Sequence, residues 1–326
     1  VKKKIGTVIK FALSLGVGVL IVWFTFSRLS DEEMQMMRQA FASANYWWLI
    51  LGGVFNLASN YFRTERWRML LKPLGQNPNF LNTYLSIIVM YFGNLLFPRL
   101  GEVARCGILN KYEKIPVDKS IGTLVTERFM DVLMLPVIAG ILFFVEKEQF
   151  VKSYYMTKEI TGKFSNSPMY SYILYGVVAA VVLFIMYKVI TDKTWIQRIR
   201  DFIKGIFMGL KSIQKTENPV MFVVHSFGIW AFYWVAAYVS FFALPETASL
   251  SVWAALGAVF FGSFAYIAVQ GGVGAYPLVL QMIVATYGVS SIIGLSAGWL
   301  IWTIQTGLVI IAGTISLIIL SVVNKE

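Results

Sequence analysis

The sequence predicts an all-α, polytopic integral membrane protein with about six full spans plus two re-entrant or broken helical hairpins. Three observations predict it. Of the 326 residues, 57% are hydrophobic and only 14% charged, with a mean hydropathy of +0.67, which leaves too few polar side chains to cover a soluble globule. Apolar stretches long enough to cross a hydrocarbon core of ~30 Å recur along the chain. Two further apolar stretches are interrupted at their middle by glycine, proline and charge. The chain therefore reads as a single transmembrane domain over residues 1–326. Its net charge of +11 is a topology signal and a surface for anionic lipid headgroups, not a nucleic-acid footprint. One cysteine, Cys106, permits no internal disulfide, and one histidine, His225, permits no His-rich metal or haem site. No metal or cofactor is expected, and any catalysis would draw on carboxylates, Arg, Lys or hydroxyls.

The first element is an apolar run over 5–26 behind a Lys-rich start. It is longer than the apolar region of a signal peptide and lacks a small-residue cleavage site before Arg28, so it reads as a retained signal-anchor helix. Further spans fall at about 45–62, 120–144, 170–190, 220–243 and 294–322. Tyr46, Trp47 and Trp48 resemble an aromatic belt at the second of these. The first broken stretch runs from Phe80 to about Tyr112, interrupted between Gly93 and Glu102; the second runs from Leu250 to about Tyr287, interrupted between Gln270 and Pro277. Such breaks free backbone groups that hydrocarbon cannot satisfy, so they belong where protein or a wet cavity covers them. Each is either a pair of helices with a tight turn or a re-entrant hairpin.

Charge chooses between hairpins and single crossings. With a cytoplasmic N-terminus and two hairpins, segments 1–10, 63–79, 99–119, 188–218 and the C-terminus are cytoplasmic and hold 21 of the 28 Lys and Arg residues. The outside segments 28–44 and 145–168 hold 6. Had the first broken stretch crossed once, the seven basic residues of 188–218 would face outward, against the positive-inside rule. With hairpins, residues 1–145 and 170–322 follow the same order of span, span, hairpin, span, and an odd number of crossings inverts the second half. Inverted repeats with corresponding broken helices are a recurrent plan of secondary transporters. An interfacial amphipathic helix is expected over 195–213, where Ile196, Ile199, Phe202 and Phe207 recur at helical spacing.

Three clusters could carry chemistry. At the first break, Arg99, Glu102 and Arg105 follow Pro98; Glu102 and Arg105 are three apart, so on a helix the carboxylate can neutralise one guanidinium and leave the other for a phosphate. An interfacial turn with snorkelling arginines is the competing explanation. In the next span, Glu127, Arg128 and Asp131 lie well inside the core, where charges oppose insertion by ~2.5–3.5 kcal/mol each. They are expected to form a neutralised, bundle-facing network with a transport role or a structural one. At the second break, Gly271, Gly272 and Gly274 permit tight backbone conformations and close approaches, as an uncharged part of a translocation site or as a simple turn. Asp31, Glu32 and Glu33 could form the outside acidic site of a membrane-embedded transferase using a lipid-linked donor. Ser30 followed by Glu33 also fits a capping box, which is the preferred reading.

The motifs GNLLFPRLGEVAR (93–105), KSIGTLVTERFMD (119–131) and GGVG (271–274) together resemble the lysylphosphatidylglycerol synthase transmembrane region family, flippase-like membrane proteins, over about residues 45 to 320. That family's Pro-Gly-Arg-x-Gly-Glu is here Pro98 directly before Arg99, and Pro277 stands where the family often has a late Glu. The resemblance implies lipid translocation in the cytoplasmic membrane, of an anionic or aminoacylated phospholipid supplied by a separate lipid-modifying enzyme. In two-part members a soluble synthase domain follows the membrane region; with Glu326 just after the last span, that domain is not expected here. A non-transporting partner of other envelope proteins is the third alternative.

Overall fold

The computed structural model describes residues 16–97, 99–148 and 216–325. The expected span over 170–190, the amphipathic helix over 195–213, most of the outside loop over 145–168, the start of the first span and Pro98 lie outside these residues. The regular structure among the described residues is all helical, with no strand among them. In chain order they form α1 (Gly16–Phe26), α2 (Asp31–Ser43), α3 (Tyr46–Leu71), α4 (Phe80–Leu96), α5 (Leu100–Glu113), α6 (Val117–Val145), α7 (Pro219–Phe241), α8 (Val252–Ala268), α9 (Ala275–Thr286) and α10 (Ser291–Val323).

Each start carries a local reason. Ser30, Asn45, Asn79, Asn218, Ser251 and Ser290 precede α2, α3, α4, α7, α8 and α10, and each side chain accepts a hydrogen bond from a first-turn amide, satisfying donors that the helix itself leaves orphaned. At Ser30 the box is reciprocal: Glu33 N donates to Ser30 Oγ at 3.2 Å, and Ser30 N donates to Glu33 Oε2 at 2.9 Å. That occupies Glu33 as the capping reading expects. Helices α6, α7 and α10 are long and apolar enough to cross a membrane. Large apolar side chains such as Val125, Phe144, Phe227 and Ile318 face outward from them, as lipid-facing surfaces should.

The two broken stretches are helix pairs. Helix α4 has 17 residues and α5 has 14, while α8 has 17 and α9 has 12. At 1.5 Å per residue these are about 18 to 26 Å long, each short of a full core. Asn79 and Asn82, at the start of α4, meet Glu113 at the end of α5: Asn79 N donates to Glu113 Oε2 at 3.1 Å, and the Asn82 amide donates to Glu113 Oε1. The chain thus enters and leaves the first hairpin at one end. Asn324, at the end of α10, pairs its amide with that of Asn82 at 2.9 Å in both directions, and Lys72 reaches Glu217 just ahead of α7 at 2.8 Å. The opposite end joins Asn45 to Ala243 at 2.8 Å and places Tyr287, after α9, against Ser251 before α8 and Glu146 after α6. The second hairpin therefore opens toward the other end.

One assignment is corrected. Residues 63–71 do not begin a cytoplasmic loop but continue α3 to Leu71, about two and a half more turns. The helix carries Arg63 and Arg66 into the interior, 4% and 0% exposed. Nothing between Val54 and Leu71 breaks the helix, since no proline or glycine occurs there. With Arg105 also buried, three of the 21 basic residues counted as cytoplasmic are internal cations.

Candidate functional site

The interior charges converge where α3, α5 and α6 meet. On α3, Asn56, Asn60, Arg63 and Trp67 recur at intervals of four, three and four, one face of a helix. Arg66, three residues past Arg63, lies beside that stripe and is buried with it. Arg63 Nη1 donates to both Glu127 Oε1 (2.9 Å) and Asp131 Oδ2 (3.0 Å). Arg66 Nη2 donates to Asp131 Oδ1 at 2.7 Å, and its Nη1 reaches Ser226 Oγ on α7 at 3.3 Å. From α5, Arg105 Nη2 donates to Glu127 Oε2 at 2.7 Å, with its guanidinium 4.3 Å over the Trp67 ring. Trp67 is held by its own bond to Thr123 Oγ1 at 2.8 Å. Glu127 is thus fully buried between two guanidinium groups, which compensate a charge that would be prohibitive alone.

Arg128 takes the neighbouring direction. Its Nη2 donates to Glu102 Oε1 at 2.9 Å, and its Nη1 lies 3.6 Å from Asp131 Oδ2. This corrects the expected Glu102 and Arg105 pairing: Arg105 goes to Glu127 and Glu102 to Arg128, so each ion pair ties α5 to α6. The local spacing of three was a permitted contact, but the buried carboxylate of Glu127 is a stronger partner for Arg105 than a partly hydrated neighbour. Arg105 is 0% exposed and is not a guanidinium open to the surroundings. Arg99 is exposed, stands one turn before Glu102 with φ +63°, and makes no ion pair among the described residues. The side chain of Arg128 is 45% exposed, against 20% for Glu102 and 16% for Asp131. The cluster therefore opens at Arg128.

Above the carboxylates the polar contacts cross to α4 and α7. Arg63 Nη2 donates to Tyr233 Oη at 3.4 Å, and Tyr233 Oη lies 3.0 Å from Tyr91 Oη. Arg63, Arg66, Tyr91 and Tyr233 were not singled out from the sequence. The signal for the arginines was the pair of core carboxylates on α6, which demanded buried cations from another helix.

The two breaks meet. In the first, Gly101 N donates to Asn94 Oδ1 at 2.9 Å, and a Cβ on Gly101 would stand 1.8 Å from Met90 O, so glycine alone permits this closure. In the second, Gly271, Gly272 and Gly274 have φ of +64°, +69° and +71°, a left-handed region costly for residues with a Cβ. Gln270 Nε2 donates to Asn94 O, joining one tip to the other. Trp302 Nε1 on α10 donates to Gly271 O at 2.7 Å, and a Cβ on Gly274 would meet Ile21 and Val22 of α1 near 3 Å. The glycines are brought beside the first tip, but among the described residues no hydrogen bond or ion pair joins them to the ion cluster. Among the described residues no group of acidic, His and Cys side chains could hold a metal.

Residues 8–313 match the family model described as the lysylphosphatidylglycerol synthase TM region. A UPF0104 membrane protein from Methanocaldococcus jannaschii is 27% identical over 192 residues, covering 57% of this chain and 53% of that protein. The chain thus spans about half the length of the curated relative it matches. No solved structure matches. A family match over nearly the whole sequence, on a chain whose core charges, broken helices and apolar spans are those of a membrane protein, means that it belongs to the lysylphosphatidylglycerol synthase TM region family.

Proposed function

We propose that the protein moves a phospholipid or lipid-linked substrate across the cytoplasmic membrane. The observation that carries this reading is the seven-member charged cluster built from α3, α5 and α6, which opens at Arg128 within a bundle whose outer surface is apolar. A helical bundle held together by apolar packing alone has no use for four arginines at this depth, whereas a headgroup crossing the hydrocarbon needs polar partners on its way. In this reading Arg99 and Arg128 receive the headgroup at the lip of the first hairpin, Glu102 balances Arg128, and Glu127 and Asp131 hold Arg63, Arg66 and Arg105 in place. The glycine tip over 271–274 forms the uncharged wall that the tip of the first hairpin touches.

The proposed architecture includes an inverted repeat, and the packing of the helices is consistent with one. Helix α3 packs along α7, its counterpart in the second half. Helix α4 packs on α10 as α8 packs on α6, and α3 on α4 as α7 on α8. Hairpins that open toward opposite ends fit the same pseudo-two-fold plan, as transporters built from inverted halves require. With the basic segments on the side of Lys72, Lys111 and Lys325, that side faces the cytoplasm. The test is a scrambling assay on purified protein in liposomes carrying a fluorescent phospholipid. We expect inner-leaflet probe to become accessible to externally added dithionite, which does not cross the bilayer, faster than in protein-free vesicles. Rates no faster than in protein-free vesicles for every anionic and zwitterionic lipid tried overturn the proposal.

A further inference from the structure

The ion cluster does not balance. Arg63, Arg66, Arg105 and Arg128 face Glu102, Glu127 and Asp131 in one connected set of ion pairs, which leaves one positive charge over. The other ion pair within α3, Glu65 with Arg68 at 2.8 Å, is neutral and changes nothing, and the exposed Arg99 adds to the surplus. Four buried guanidinium atoms, Nε of Arg63 and Arg66 and both Nε and Nη1 of Arg105, have no hydrogen-bond partner among the described residues, nor does Oε2 of Glu102. Arg63, Arg66 and Arg105 are each at most 4% exposed. Four cations against three carboxylates in a mostly buried cluster leave an uncompensated charge, which apolar surroundings disfavour, and Arg128, with its side chain 45% exposed, is the member that one more negative charge can reach.

We infer that the substrate supplies this charge, and that the site selects a headgroup with net negative charge, bound through its phosphate to Arg128, over the cationic lysyl lipid for which the family is named. This rests on the lipid-translocation reading and narrows its substrate. Arg128 is the accessible member and its pair with Glu102 is the one nearest the surface, so a phosphate exchanges there while the inner pairs stay closed. Guanidinium is suited to bidentate phosphate contact. The charge count ranks the headgroups. A phosphodiester with no amine brings the cluster to neutrality. A zwitterionic headgroup leaves the surplus in place, and a lysylated one, with two ammonium groups against one phosphate, doubles it.

Competition among phosphatidylglycerol, phosphatidylcholine and lysylphosphatidylglycerol for the purified protein in mixed micelles, read by native mass spectrometry, tests this. The expected order is phosphatidylglycerol first and lysylphosphatidylglycerol last. Arg128→Gln should weaken phosphatidylglycerol by about tenfold, the loss of one charged hydrogen-bonded contact. Glu102→Gln, which frees Arg128 and enlarges the surplus, should tighten it. Inorganic phosphate is the second probe: if millimolar phosphate displaces the lipid as well as phosphatidylglycerol does, the site is one for free phosphate, and the lipid assignment falls. Equal or tighter binding of the lysylated lipid, or a preference unchanged in Arg128→Gln, overturns the inference even where wild-type protein scrambles lipids. Selective binding without scrambling leaves the inference standing and removes the transport reading.

Discussion

Glu127 is the residue on which the interior depends. Its two oxygens serve guanidinium groups from two other helices, Arg63 on α3 at 2.9 Å and Arg105 on α5 at 2.7 Å. Glu127→Gln keeps the volume but leaves Arg105 without a carboxylate and adds to the positive surplus. Breaking a buried pair by removing one partner costs about 3–5 kcal/mol, so the variant should lose most of its thermal stability in detergent. Combining it with Arg105→Gln should recover part of the loss, because the two changes act on one contact and are not additive. An unchanged melting temperature in Glu127→Gln would show that the cluster contributes nothing to the fold. The carboxylates were legible in the sequence because charge inside an apolar span has no bland explanation. Apart from Arg128, three residues before Asp131, their partners were not. Sequence spacing offers contacts three or four residues apart, whereas the pairs formed link residues 22, 64 and 65 positions apart, a matter of how helices pack.

At the scale of the element, the first hairpin depends on a crossing that only small residues allow. Gly93 and Gly101 face each other, with a Cβ on Gly93 only 3.0 Å from Gly101 Cα, and a Cβ on Gly101 overlapping the carbonyl of Met90. Gly101→Ala must therefore push α4 and α5 apart and break the bond to Asn94. Overpacking of this kind costs about 1–3 kcal/mol, and the shift also carries Glu102 away from Arg128. We expect a lower melting temperature together with slower lipid movement, while alanine at the unobstructed Gly107, later in the same helix, should change neither. Loss of function at Gly107 and not at Gly101 would sink the argument. The breaks were legible because Gly, Pro and charge interrupt apolar runs. The end of α3 is not legible in that way: Arg63 and Arg66 end the apolar pattern, but nothing in the backbone stops the helix before Leu71.

At the scale of the whole molecule the question is whether each broken stretch returns to its own side. Asn77, Lys111 and Lys325 are exposed residues near the end that gathers Asn82, Glu113 and Asn324, while Glu32 and Glu246 are exposed near the opposite end. The native cysteine, Cys106, is buried, so a cysteine placed singly at these positions reports on its own environment. In right-side-out and inverted vesicles, a membrane-impermeant maleimide should label Asn77→Cys, Lys111→Cys and Lys325→Cys from one side and Glu32→Cys and Glu246→Cys from the other. The decisive comparison is Asn77 against Lys111. A hairpin keeps them on one side; a single crossing of residues 80–112 separates them, and labelling from opposite sides would falsify the topology. The charge distribution already opposes that crossing, since it would carry the basic segment over 188–218 outward. The bonds from Glu113 to Asn79 and Asn82 oppose it independently, because helices as short as α4 and α5 satisfy their termini against each other only by running back side by side.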